Sequence, residues 1–249
     1  MSDFNRGLST PTTPAVADMG VDAGLRGFML GVYNKVGLGL VLSAALAWVS
    51  GNYEPVRQLF FNVDANGRTG LTVLGMVVAF APLAVLLGQM FLRKTSPRAA
   101  AITYWAIVSL IGISFGVLFI VYSGVSIFET FLVTAAAFGG LSLVGYTTKR
   151  NLTGMGSFLI MGLWGLIFAS LASLFFHSAA LVFAINLIGV LIFAGLIAFD
   201  TQRLKLTYHQ LGGDQAAMSV ATSYGALSLY LDFINLFRFL LYFMGGARR

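Results

Sequence analysis

Apolar runs long enough to cross a bilayer succeed one another along this chain, at about 28 to 51, 70 to 92, 100 to 122, 125 to 146, 154 to 176, 179 to 202 and 219 to 244. A hydrocarbon core of about 30 Å needs roughly 20 apolar residues per helix. Between the runs stand polar breaks: Gly-Asn-Tyr-Glu-Pro from Gly51, Arg-Lys-Thr-Ser-Pro-Arg from Arg93, Lys-Arg-Asn-Leu from Lys149 and Leu-Gly-Gly-Asp from Leu211. The pattern predicts an all-α fold, a bundle of seven transmembrane helices forming one domain over residues 27–249. Residues 1–26, polar and rich in Ser, Thr and Pro, are expected to be a disordered cytoplasmic tail. That tail has no apolar stretch before a small-residue cleavage site, so it does not read as a signal peptide. Only 52–69 and 203–218 leave room for local structure outside the membrane.

Composition agrees with the pattern and narrows the function classes. The chain is 58% hydrophobic and 10% charged, against about 25% charged residues in soluble domains, which leaves no length for a soluble catalytic domain. No cysteine is present, which removes disulfides, thiolate metal sites and cysteine nucleophiles. The net charge of +6 is spread singly between apolar runs and forms no basic stripe, so the expected partner is the lipid bilayer and no nucleic acid. Lys and Arg instead report topology, because cytoplasmic loops are enriched in them. Arg6, Arg26, Arg93, Lys94, Arg98, Lys149, Arg150, Arg203 and Lys205 fall on one side if the N-terminus is cytoplasmic, with Arg57 and Arg68 on the other. Arg248 and Arg249 then lie outside, against the trend. The 29 glycines include small-residue spacings such as Gly139, Gly140 and Gly145, which let helices approach closely in lipid.

A charged group deep in a bilayer costs at least a few kcal/mol, about 2.5 to 3.5 on insertion scales, so acids inside spans are the candidate chemistry. Asp200 closes the sixth run, Asp232 lies in the seventh and Glu129 begins the fourth, where interfacial solvation accounts for it. With a rise of about 1.5 Å per residue, Asp200 sits about 9 Å and Asp232 about 10 Å from the same boundary, so the two can touch. Ser228, Asp232, Asn235 and Tyr242 recur near the helical period as a polar stripe, and Asn186 shares a face with Asp200. Two carboxyl groups at hydrogen-bond distance in a poorly solvated site cannot both ionise cheaply, so one proton would be shared, which makes a pH sensor. The alternative is that each aspartate separately satisfies a helix end or a cation such as Arg203 or Arg238. Lys35 reads as a side chain snorkelling to the interface. His177, at a helix end, and His209, in a loop, have no second ligand near them in sequence, and no phosphate-binding loop or serine elbow is present.

Four stretches together resemble the Bax inhibitor-1 family in its bacterial branch. They are Phe-Gly-Gly-Leu-Ser-Leu-Val-Gly-Tyr-Thr-Thr-Lys-Arg from Phe138, Gly-Ser-Phe-Leu-Ile-Met-Gly-Leu from Gly156, Gly-Leu-Ile-Ala-Phe-Asp-Thr-Gln from Gly195 and Gly-Ala-Leu-Ser-Leu-Tyr-Leu-Asp-Phe-Ile-Asn-Leu-Phe from Gly225. The resemblance runs from about Gly27 to the end. It implies seven helices with the C-terminal one at the centre, and a pH-sensitive calcium leak gated by paired aspartates, here Asp200 and Asp232. It also implies an integral protein of the bacterial inner membrane that holds no cofactor and is not an enzyme. Calcium would be the transported ion, touched by Asp200 and Asp232, with Asn235, Ser228, Asn186 and Arg238 as supporting polar groups and Glu129 on the ion path. The chain departs from the pattern in having Phe199 before the first aspartate and no acid in its second run, whereas some relatives carry a glutamate there. Calcium takes oxygen ligands, so that missing acid bears on which ion passes.

Two other functions fit the residues less closely. A noncatalytic regulator that binds other membrane proteins, such as a membrane protease, is compatible with a leak. An intramembrane aspartyl protease needs two aspartates on neighbouring spans, but Leu-Tyr-Leu-Asp stands where such proteases resemble Gly-x-Gly-Asp, and no Pro-Ala-Leu follows.

Overall fold

Each long apolar run becomes a helix, because in lipid every backbone N–H and C=O must be satisfied within its own segment. The computed structural model describes residues 23–63, 69–89, 95–176 and 178–246. The predicted tail over residues 1–22, together with Arg68, Arg93, Lys94, His177, Arg248 and Arg249, lies outside them. In chain order the elements are α1 (Ala23–Asn52), α2 (Glu54–Phe60), β1 (Phe61–Val63), β2 (Thr69–Leu71), α3 (Val73–Gln89), α4 (Pro97–Ser114), α5 (Gly116–Val121), α6 (Gly124–Thr147), α7 (Thr153–Ser173), α8 (Ala179–Gln210) and α9 (Gln215–Met244).

Six of these are long and apolar enough to cross a membrane: α1, α4 continued by α5, α6, α7, α8 and α9. The second predicted run becomes α3, which has 17 residues and is a shorter apolar helix. Its described length ends at Gln89, and residues 90–94 lie outside the described residues. The segment from 52 to 69 holds α2, which opens with Pro55 in its first turn, and an antiparallel β1–β2 hairpin pairing Phe61 with Leu71. Thr72 ties this hairpin to α3: its hydroxyl accepts from the Gly75 N–H at 3.0 Å and donates to the Leu59 carbonyl at 2.6 Å.

Two boundaries differ from those read off hydropathy. The first helix begins at Ala23, four residues inside the expected tail, and carries Arg26 in its first turn. More consequentially, α8 does not stop where the apolar run ends at 202 but continues as helix to Gln210. Arg203, Lys205 and His209, expected in a loop, are helical. Hydropathy locates the edge of the lipid, whereas a helix ends where its hydrogen bonding is interrupted. That happens at Gly212 and Gly213, whose φ values of 56° and 88° favour glycine. Asp214 then caps α9, accepting from the Ala216 and Ala217 N–H groups.

The last helix occupies the middle of the bundle, packed against α1, α4, α6 and α8. It is apolar nearly all round, which is the pattern of a buried helix: Leu227, Leu229, Tyr230, Phe233, Leu236, Phe237 and Leu241 are all buried. Phe131 and Phe138 of α6 pack against Phe233 with ring centres 5.5 Å apart. Two hydroxyls that enter this core beside α9 are paired. Tyr230 shares a 2.6 Å hydrogen bond with Ser43, and the Tyr104 hydroxyl donates to the Lys35 carbonyl at 2.6 Å. The crossing of α6 and α8 is set by Gly145, where an added methyl would collide with the Ala198 backbone.

Candidate functional site: an aspartate pair between α8 and α9

The crossing of α8 and the central helix brings Asp200 and Asp232 near enough for their carboxyl groups to act on each other. Both are buried, at 4% and 5% exposure, so the pair is shielded from solvent. Their partners divide unequally. One Asp200 oxygen accepts from the Ser228 hydroxyl of α9, and the other pairs with the Arg203 guanidinium at 3.2 Å. Arg203 also donates to the Ser228 hydroxyl at 3.2 Å, so Asp200, Ser228 and Arg203 close a triangle. Asp232 has one oxygen that is fully covered and has no hydrogen-bond donor among the described residues. An unpaired buried carboxylate oxygen is expensive, and the expense falls if a proton is held between the two acids.

Arg203 is the way in. Its side chain is half exposed, while that of Asp200 is only 6% exposed. It lies one helical turn beyond Asp200 and over the Phe199 ring, 5.7 Å from its centre. The guanidinium therefore covers Asp200 from the open end of the bundle. Anything approaching that carboxylate from this end meets a positive charge first.

The polar stripe expected on α9 does not act as one surface. Ser228 joins the pair, but Asn235 donates to the Leu231 carbonyl at 2.8 Å and, with Arg238, lines a cavity of about 660 Å³ shared with α3, α4 and α5. Around a central helix, the roughly 60° that separates Asp232 from Asn235 is enough to face a different neighbour. Asn186 lies about 21 Å along α8 from Asp200 and donates to the Val182 carbonyl at 2.7 Å. Glu129 is exposed near the start of α6, at the opposite end of that helix from Gly145, which crosses α8 beside Asp200. Neither joins the pair. Among the described residues no group of three or more His, Asp or Glu side chains could hold a metal ion. The pair offers carboxylate and hydroxyl oxygens, hard donors of the type calcium takes, but too few for the six to eight ligands of a resident site.

Several residues around the site had no distinctive sequence signal. Lys205, 3% exposed, donates to the Tyr146 carbonyl at the end of α6 and lies 4.8 Å from the centre of the Tyr146 ring. Gln202 clasps the α6–α7 turn, accepting from Leu152 N–H and donating to the Arg150 carbonyl, each at 2.8 Å. Tyr33 of α1 reaches Thr201 at 3.4 Å. Lys35, expected to snorkel, turns to α9 and donates to Ser223 at 2.8 Å. His209 packs edge-on against Tyr208, and its Nε2 has no hydrogen-bond partner among the described residues.

Six membrane-length helices about a buried carboxyl pair make this a multi-pass α-helical membrane protein with its polar centre inside the bundle. The chain belongs to the Bax inhibitor-1 family: the family described as Inhibitor of apoptosis-promoting Bax1 matches residues 25–249. It is 60% identical over 249 residues, the full length of both chains, to an uncharacterized protein of Caulobacter vibrioides. It is 41% identical over 249 residues, again the whole of both, to the uncharacterized protein RP147 of Rickettsia prowazekii. Inner membrane protein YbhL of Escherichia coli is 40% identical over 227 residues, which is 91% of this chain and 94% of that one.

Proposed function

We propose that this protein is a pH-sensitive calcium leak of a bacterial inner membrane, in which the proton shared by Asp200 and Asp232 holds α8 against α9. The observation that carries this reading is the burial of two neighbouring carboxyls on α8 and α9, with one Asp232 oxygen left unpartnered among the described residues. With the proton in place the pair is an attractive contact. Without it, two unit charges about 4 Å apart repel by about 4 kcal/mol at the effective dielectric usual for such pairs, enough to reverse a two-state equilibrium. In this reading α3 crosses the membrane as a seventh helix, and the N-terminus is cytoplasmic. In support, contacts gather Arg26, Arg150, Arg203 and Lys205 with the pair at one end of the bundle: Gln202 holds Arg150, Lys205 reaches Tyr146, and Arg26 shares a cavity wall with Tyr146. Positive charge marks the cytoplasmic end.

A passing cation must take the Asp200 oxygens that Arg203 covers, so Arg203 acts as a resident competitor. Purified protein in liposomes loaded with a calcium dye is expected to release calcium above the rate of empty vesicles, and at a rate that changes with pH. Removing the competitor in Arg203→Gln is expected to raise that rate up to about fivefold at neutral pH, consistent with the ~1 kcal/mol at most of a partly exposed ion pair. Flux equal to empty vesicles at every pH would overturn the leak. Flux that is present but the same in Arg203→Gln would remove Arg203 from the path.

A further inference from the structure

On the outer face of the bundle, α1 and α6 part to leave a cavity of about 520 Å³, within the range of about 300 to 1,000 Å³ typical of small-ligand sites. Its walls include Arg26 and Tyr33 of α1, and Phe138, Gly139, Ser142 and Tyr146 of α6. Among the described residues no acidic side chain lines it. Ser142 is 5% exposed and its hydroxyl has no hydrogen-bond partner among the described residues. That is unusual for this helix. Thr130, Thr134 and Thr147 each donate to the carbonyl four residues back, as hydroxyls in a helix commonly do.

Charge is distributed along the groove as lipid chemistry requires. Arg26, exposed in the first turn of α1, marks one end. Tyr146 lies at the same end, and Lys149 and Arg150 follow within a few residues of it. Further along, the wall is Met29, Leu30, Phe138 and Leu143. A basic end followed by an apolar channel between helices matches a phosphate headgroup followed by an acyl chain. One χ1 rotation of Ser142, cheap for a serine, would turn its hydroxyl toward an ester group at that depth.

We propose that the α1–α6 groove is a binding site for one anionic phospholipid, with Arg26 on its phosphate, Ser142 near its ester region and an acyl chain along Gly139 and Phe138. The site does not depend on whether the protein passes ions. Tyr33 both lines the groove and reaches Thr201, the neighbour of Asp200, so an occupant would lie one side chain away from the helix that carries the aspartate.

Native mass spectrometry of the intact protein in a neutral detergent tests this, with phosphatidylglycerol and phosphatidylcholine of identical chains titrated separately. Wild type is expected to retain one phosphatidylglycerol at a concentration at least about fivefold below that needed for phosphatidylcholine, since each basic residue near a headgroup contributes about fivefold. Arg26→Gln is expected to reduce that preference about fivefold. Gly139→Phe, at a position where an added Cβ meets no atom within 4 Å, fills the groove and is expected to abolish retention of both lipids. Val77→Phe, on the exposed face of α3, is expected to behave as wild type. Equal retention of the two lipids by wild type, an unchanged preference in Arg26→Gln, or unchanged retention in a folded Gly139→Phe would each overturn the proposal. If Gly139→Phe does not fold, the Arg26→Gln comparison decides alone.

Discussion

Asp200→Asn and Asp232→Asn are each expected to give a protein whose calcium release no longer responds to pH, while wild type changes by up to about tenfold per pH unit, the limit for a switch that turns on one proton. Asparagine keeps the size of the side chain and its capacity for hydrogen bonds but cannot lose a proton. In either variant the amide can donate to the remaining aspartate, so α8 and α9 stay in contact whether that aspartate is ionised or not. The repulsion that would separate them is gone. Flux should therefore be fixed at one level across the range in which wild type varies, and the two variants should resemble each other. If only one of them lost the response, the remaining acid would be titrating by itself and the pair would not be the sensor. Ser228 donates to one Asp200 oxygen, so Ser228→Ala serves as the comparison: it keeps both ionisable groups and should keep the pH response.

A second large effect is expected far from any charge. Gly145→Val should leave little folded protein, read as loss of the monodisperse peak on size exclusion and a lowered unfolding temperature in what remains. The atoms that an added carbon would meet are the carbonyl oxygen, carbonyl carbon and Cα of Ala198. Backbone cannot rotate aside as a side chain can. Overpacking in a filled core costs about 1 to 3 kcal/mol and more where backbone must move, against a total stability of only about 5 to 15 kcal/mol. Gly139→Val on the same helix faces open space and should fold normally. The contrast also matters for the aspartates, because Ala198 precedes Asp200 by two residues, and displacing α8 at that crossing would move the carboxyl.

Much of this arrangement is visible in the residues before any coordinates, for reasons that differ between elements. The spans are legible because lipid admits only apolar helices, and the pairing of Asp200 with Asp232 is legible because equal depth on consecutive antiparallel helices leaves little freedom. The start of α3 is less legible, since Gly70 and Leu71, which the hydropathy run includes, pair as a strand with Asn62 and Phe61. The end of α8 was underread, since charge at Arg203 and Lys205 marks where lipid ends and says nothing about hydrogen bonding. That difference bears most on Lys205, whose reach to Tyr146 needs α8 to stay helical, whereas Arg203 already reads as a cation close to Asp200 in sequence. The stripe on α9 shows a further limit. Periodicity says which residues share a face but not which neighbour stands at each depth: Ser228 and Asn235 lie only about 20° apart around α9 but about 10 Å apart along it, and so part company. Long-range partners such as Lys205 with Tyr146, or Gln202 with Arg150 and Leu152, depend on how α6 and α8 cross, and no local pattern encodes that.

The shared proton itself is the claim on which the rest depends, and infrared difference spectroscopy of the reconstituted protein reads it directly, because a protonated carboxylic acid and a carboxylate absorb at different frequencies. At neutral pH wild type is expected to show one protonated carboxyl that is lost on raising the pH, and that is missing from the same position in both Asp200→Asn and Asp232→Asn. A wild-type spectrum with no protonated carboxyl at neutral pH, or one whose protonated band persists unchanged when both aspartates are replaced, would contradict the account.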